Sequence, residues 1–220
     1  AFPAVMASPA FWAATKATLT AVFEGLAIAF VLGTVIGVGI GRIRLVDRLT
    51  SLYISGLFAM PLTAILPLFS LWFGYTADAR LAVVVFACFF SVVTNVSDGA
   101  RAVPIEFIEV SRSFRGSPFS RLFDVILPAS VPYILAGLRL AAGRALIGAV
   151  VAEFVAGTGG RSSGLAYEIL QSGFQLDIPR MFAALILIAV AGILMFVLMA
   201  ALSNAGAEPD SFMAEYGARQ

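Results

Sequence analysis

Histidine is absent from this 220-residue chain, and cysteine occurs once. Lysine also occurs once, as Lys16, and charged residues make up only 12% of the whole. Without histidine the chain lacks the commonest general base and the commonest metal ligand. The lone Cys88 sits in an apolar run, so neither a disulfide framework nor a multi-cysteine metal site is available. A P-loop needs a lysine after glycine to reach nucleotide phosphates, but Lys16 follows Ala13-Ala14-Thr15, so this chain supplies no such ATP site. A net charge of +1 without a basic face argues against a nucleic-acid partner. What remains is apolar: 60% of residues, with a mean hydropathy of +0.98. Soluble domains carry about 25% charged residues. The chain reads as an integral membrane protein.

Crossing roughly 30 Å of hydrocarbon takes about 20 apolar residues. Stretches near 18–41, 49–73, 80–100, 129–156 and 180–202 qualify, which predicts an all-α polytopic membrane bundle of about five transmembrane helices. The second stretch contains Pro61 and Pro67, which remove backbone donors and predict a kink. Kinks survive in lipid where neighbours satisfy the freed carbonyls, so this helix is expected inside the bundle. The first stretch carries Ala29, Gly33, Gly37 and Gly41 in one row. Such a row lets backbones approach closely, either within one subunit or across a dimer contact.

Arginines set the orientation. If the loop around Glu109 is cytoplasmic, that side holds Arg42, Arg44, Arg48, Arg101, Arg112, Arg115, Arg121 and Arg219. The other side holds only Lys16, Arg80, Arg161 and Arg180. The bias places the C-terminus in the cytoplasm and, with five spans, the N-terminus outside. The first residues show no basic, apolar and small-residue signal pattern and do not begin with methionine, so an upstream segment is expected to be missing.

Between the third and fourth stretches lies a polar segment, Glu109-Val110-Ser111-Arg112-Ser113-Phe114-Arg115-Gly116-Ser117-Pro118, ending in Ile126-Leu127-Pro128. Pro104 suits a helix start, and Phe107, Ile108 and Phe114 give an apolar face among Glu106, Glu109 and Arg112. Gly116 can end that helix in a left-handed conformation, Ser117 can cap the next, and Pro118 fits its first position. The pattern predicts helix, turn, helix over about 104–127. Exposed Phe107, Ile108, Phe114 and Phe119 would form an apolar patch needing cover, by a partner protein or by lipid headgroups.

This segment resembles the Glu-Ala-Ala loop by which permease subunits of ATP-binding-cassette (ABC) importers dock onto separate ATPases, and the interval from Glu109 to Pro128 agrees with the pattern. Two departures stand out: Ser111 replaces the second alanine, and glycine comes one residue late, at Gly116 after Arg115. The resemblance extends over most of residues 18–202. It is most like the permeases of nitrate, sulfonate, taurine and bicarbonate importers, through Pro61, Ile65-Leu66-Pro67, Leu71-Trp72-Phe73-Gly74, Arg112-Ser113-Phe114, Pro128, Pro132, Gly137-Leu138-Arg139, Gly143-Arg144-Ala145 and Ala152-Glu153. It implies a single permease domain over 1–220 with the type I importer fold, in the bacterial cytoplasmic (inner) membrane. An additional helix is expected before the first stretch. The implied partners are a second permease copy, two cytoplasmic ABC ATPases and an external or lipid-anchored substrate-binding protein. No cofactor is implied in this chain, ATP and magnesium being bound by the partner ATPase. Glu109, Ser111, Arg112, Phe114, Arg115, Gly116 and Pro118 are the implied ATPase-coupling residues.

Charges within spans are the candidates for a translocation path, since an arginine at the bilayer centre costs about 2.5–3.5 kcal/mol on insertion scales. Counted from Pro128 at about 1.5 Å per residue, Arg139 lies roughly 16 Å and Arg144 roughly 24 Å along the helix. Arg144 could attract an anion, or pair with Glu24 or with carbonyls at a helix break; Arg139 lies nearer the gate side. Glu153 is expected at the outer interface, snorkelling or sealing a gate. Thr94 and Asn95 are possible lining residues, and Asp98 is expected near Arg101 at the cytoplasmic boundary. The glycine-rich 157–164 reads as an outer loop or plain linker, with a short surface helix near 165–176. A self-contained transporter driven by an ion gradient is the alternative to the importer reading; its expected inverted repeats are not visible.

Overall fold

The computed structural model describes residues 5, 7–114, 117–155 and 163–206. Among these, all regular structure is helical. The helices are α1 (Pro9–Arg42), α2 (Arg44–Ala59), α3 (Leu62–Phe73), α4 (Ala77–Ala102), α5 (Ile105–Ser113), α6 (Pro118–Arg121), α7 (Leu127–Val155), α8 (Leu165–Phe174) and α9 (Ile178–Gly206). A π-helical turn, Leu122–Ile126, joins α6 to α7.

The core is a sandwich of α1, α4 and α7. A Cβ built on Gly25 would lie 2.5 Å from Val84; one on Gly33 would lie 2.8 Å from Val92, and one on Gly41 would meet the Ser97 carbonyl and Ala100. The small-residue row therefore faces α4 of the same chain, and its register rises together on both helices, so α1 and α4 run parallel. Absent side chains let the two backbones close up, and dispersion over that contact holds helices together where lipid offers no hydrophobic drive. On the other side of α4, Gly99 opposes Tyr133, Gly137 opposes Asn95, and Gly148 opposes Ala87. This descending register makes α7 antiparallel to α4.

Parallel α1 and α4 require the chain between them to cross back, and α2 with α3 does so as one span bent by 95°. Four single helices plus this pair make five crossings. The break falls at Met60-Pro61: the residue before proline is pushed out of the helical region, and Met60 adopts φ −65°, ψ 130°. Pro67 stays within α3. The expectation that this span is buried is corrected here. Leu45, Leu49, Leu52, Tyr53, Leu68, Leu71 and Trp72 are all exposed, and only Leu66 and Phe69 of α3 are buried. At the break, Met60 N–H donates to Leu57 O and Ala64 N–H to Pro61 O, so these two carbonyls are met locally although the span lies on the outside of this chain.

Outermost is α9, which packs on α7 and α8. Its best 18-residue window has a mean hydropathy of 3.0, yet only 11% of that window is buried. A helix apolar all round on the outside of a bundle has lipid as its solvent.

Candidate functional site

The hairpin between α4 and α7 forms as its sequence predicts. Helix α5 starts directly after Pro104, and Ser117 Oγ accepts from Ser120 N–H at 3.0 Å to cap α6, which begins at Pro118. Arg115 and Gly116 lie outside the described residues. Ile108 differs from expectation. It turns inward onto Ala100, Val103 and Ile126 and is buried, so it anchors the hairpin rather than joining the surface patch. The patch is Phe107, Phe114 and Phe119, with the Phe123 ring tilted against Phe119 at 4.7 Å between centroids. Phe114 is 85% exposed. Glu109 and Arg112 are exposed beside it and Ser111 half-buried. Arg101, at the foot of α4, bridges Asp47 of α2 and Asp98 of its own helix, which ties the start of the broken span to the base of the hairpin.

Arg144 lies in the middle of the bundle. Cys88 Sγ reaches Ala141 O at 3.3 Å, so the turn of α7 that carries Arg144 is level with the centre of α4. The guanidinium sits 3.9 Å above the Phe58 ring. Phe58 is the last aromatic before the Met60-Pro61 break. Arg144 and the break together line a cavity of about 340 Å³ whose other walls include Met60, Leu62, Phe86 and Phe90. No carboxylate pairs with Arg144 among the described residues. The proposed pairing with Glu24 is corrected: Glu24 lines a separate cleft near Lys16, Asp78 and Arg80.

At the end of the bundle opposite the hairpin, Glu153 is buried and shared between elements. It accepts from Thr18 Oγ1 at 2.8 Å, Ala166 N–H at 3.0 Å and Arg80 at 3.4 Å. Leu165 N–H in turn donates to Thr18 Oγ1 at 2.9 Å. The orphan amides that begin α8 are thus satisfied by side chains of α1 and α7, and a carboxylate at that helix N-terminus also gains from the helix dipole. Glu168 of α8 pairs with Arg180 of α9 at 2.7 Å. Instead of lying on the surface, α8 is clamped between spans, with Leu165, Ala166, Glu168 and Ser172 buried.

Comparison with known proteins decides the family. Residues 29–205 match the binding-protein-dependent transport system inner membrane component. The chain belongs to that family. It is an ABC importer permease subunit, a multi-pass protein of the inner membrane. The permease is 35% identical over 179 residues to a probable ABC transporter permease protein of Haemophilus influenzae, covering 80% of this chain and 71% of the relative. It is 36% identical over 170 residues to a putative aliphatic sulfonates transport permease protein, SsuC, of Bacillus subtilis, covering 76% of this chain and 60% of that one. The formylaminopyrimidine transport permease protein ThiX of Halalkalibacterium halodurans is 30% identical over 194 residues, covering 88% and 76%. Among solved structures, a chain of the MetNI methionine ABC transporter in an inward-facing conformation superposes with a TM-score of 0.75 at 18% identity, covering 91% of this chain and 99% of that one. That likeness shows the fold.

The permease does not gather the sequence-predicted path residues into one place. Arg139 and Arg144 are five residues apart, roughly 140° around α7. Arg139 points the other way, 4.8 Å over Phe196 of α9. Thr94 Oγ1 donates to Phe90 O, and Asn95 Nδ2 donates to Ser91 O, at 2.8 Å each. Both side chains are engaged by their own helix, and Asn95 packs against Gly137. Glu153 belongs to the α8 clamp. Phe58 and Thr18 were not singled out from sequence, and Arg80 only as an outer-side charge. Only Phe58 carried a signal, an aromatic three residues before a proline-broken membrane helix.

Proposed function

We propose that this permease forms half of a translocation path for a small anionic solute of the nitrate, sulfonate, taurine or bicarbonate kind, received from an external or lipid-anchored binding protein. The other half is a second copy of the chain, and the drive comes from two cytoplasmic ATPases that bind ATP and magnesium. In this reading the hairpin end of the bundle faces the cytoplasm, with the C-terminus, and the α8 end faces outward.

One observation carries the reading: the α5–α6 hairpin stands on an inward anchor, Ile108, and holds Phe107, Phe114 and Phe119 out in the water beside Glu109 and Arg112. A patch of exposed aromatics rimmed by charge suits a protein contact, and in this reading it is the face that docks on the ATPase. ATP closing the ATPase pair would move the hairpin. The π-turn and α7 continue directly from it, so the motion would reach Arg144's helix without a flexible link.

The test is purification of the complex by a tag on this chain, identification of the co-purifying subunits, and reconstitution in proteoliposomes. ATP-dependent uptake that requires the binding protein supports the reading. Uptake driven by a proton or sodium gradient with the permease alone would overturn it.

A further inference from the structure

We infer that the cavity at the break of the second span is a cargo subsite, one in each subunit, where Arg144 takes the charged group of an organic anion and the aromatic wall takes its apolar body. The inference rests on the importer reading and adds to it where the permease itself selects its cargo, and by what chemistry.

Three independent features meet at this place. The first is depth. Arg144 lies level with the centre of the spanning helix α4, far from either end, and no carboxylate neutralises it among the described residues. A cation kept at that depth calls for a polar or anionic occupant. The second is preorganisation. The guanidinium carbon sits 3.9 Å over the Phe58 ring, which holds the group in place, and a guanidinium can bind a carboxylate or sulfonate through two parallel N–H bonds. The third is the backbone. Irregular main chain at membrane depth is tolerated where it lines a cavity, and the Met60-Pro61 break does so, with Leu57, Met60 and Leu62 among the lining residues.

The walls then name the class of ligand. The cavity, about 340 Å³, is within the range of small-molecule sites. Beyond the arginine its described lining consists of aliphatic, methionine and phenylalanine side chains, and Phe86 and Phe90 meet edge-to-face at 5.1 Å. Nitrate or bicarbonate would satisfy the arginine and leave this wall uncovered. An alkyl or aryl carboxylate or sulfonate would cover it and gain about 25 cal/mol per Å² of apolar area removed from water. The Phe58 face is shared: it orients Arg144 and borders the ligand's apolar part. The position of the break matters too. It is the point where α2 meets α3, so an occupant contacts both halves of the span and α7 at once.

The experiment uses the whole complex, permease with its ATPases, in nanodiscs of zwitterionic lipid and without the binding protein. Binding of radiolabelled butanesulfonate is measured by scintillation proximity. The wild type should bind it, with displacement by pentanoate and benzenesulfonate and about tenfold weaker displacement by nitrate or bicarbonate. Butanol and butyltrimethylammonium should not displace it. Arg144→Gln should weaken binding about tenfold or more; Arg144→Lys, which keeps the charge and loses the fork, should fall between; Phe58→Leu should weaken it severalfold. Monodisperse elution and an unchanged thermal midpoint establish that each variant is folded, and the competition series on the wild type stands even if a variant is not.

Nitrate competing as well as butanesulfonate, or full binding in folded Arg144→Gln, overturns the subsite. Displacement by added anionic phosphatidylglycerol would reassign the cavity to lipid and also overturn it. Absence of ATPase subunits from the purified complex would instead overturn the importer reading beneath it.

Discussion

Thr18 and Glu153, 135 residues apart in sequence, meet at 2.8 Å in the buried end of the bundle. Their contact is the centre of a clamp that fastens α8 to α1, α4 and α7, because each partner also receives a backbone N–H from the start of α8. Glu153 is 3% exposed, so what its donors provide cannot be replaced by water.

Thr18→Val keeps the shape and removes one hydroxyl that both donates and accepts. It should lower stability by about 1–3 kcal/mol, since the carboxylate and the Leu165 amide each lose a partner. Glu153→Ala should do more, about 3–5 kcal/mol, as for other broken buried ion pairs. Unfolding midpoints of the purified permease in mild detergent, titrated with a denaturing detergent, give both values. Equal midpoints for Glu153→Ala and wild type would show that the clamp bears no load.

Gly164, just before α8, offers a sharper check. A Cβ there would lie only 1.9 Å from Glu153 Oε1 and 2.2 Å from Oε2, so Gly164→Ala should be strongly destabilising in the wild-type background. In a Glu153→Ala background the obstacle is gone, and the alanine should be tolerated. A double-mutant cycle with a coupling energy of about 0.5–3 kcal/mol is expected; simple additivity would contradict the packing described.

Along α1 the glycines are not equivalent. A side chain at Gly37 would press on the Val93 carbonyl at 2.9 Å and on Val96, whereas Gly39 has nothing within 4 Å. Gly37→Val should prevent a stable folded permease from accumulating, and Gly39→Val should accumulate normally. Expression level and gel-filtration profile of the two variants separate these outcomes.

The hairpin separates anchor from handle. Ile108→Ala empties part of the small cluster at its base and should lower stability by about 2–5 kcal/mol. Phe114→Ser touches only exposed surface, so stability should change by no more than about 0.5 kcal/mol. In the reconstituted importer, Phe114→Ser and Glu109→Ala should nonetheless reduce binding-protein-stimulated ATP hydrolysis and uptake severalfold. Full activity in both would remove the hairpin from the coupling role.

Much of this was legible from residues in local context. Ser117 is positioned to cap a following helix by its neighbours alone, and it does so. Pro61 was expected to disturb the second span, since the steric conflict with Met60 is also local. The extent of the bend was not legible, because it depends on what α2 and α3 rest against. Asp98 beside Arg101 followed from their spacing within one helix. Arg144 over Phe58 did not, because the two residues are on different spans and nothing local relates them.

The sequence alone determined the solvent, the number of crossings and the existence of the hairpin. These depend on composition, run length and backbone preference, which act over a few residues. Only the tertiary structure decided that the glycine row serves α4, that the broken span lies on the outside, that Glu153 holds α8, and that Arg139 and Arg144 face different neighbours. Helix α7 is rich in alanine and glycine around much of its circumference, so no stripe in its sequence fixes its rotation. That rotation is set by which small residues admit the adjoining helices, and it determines where each buried charge points.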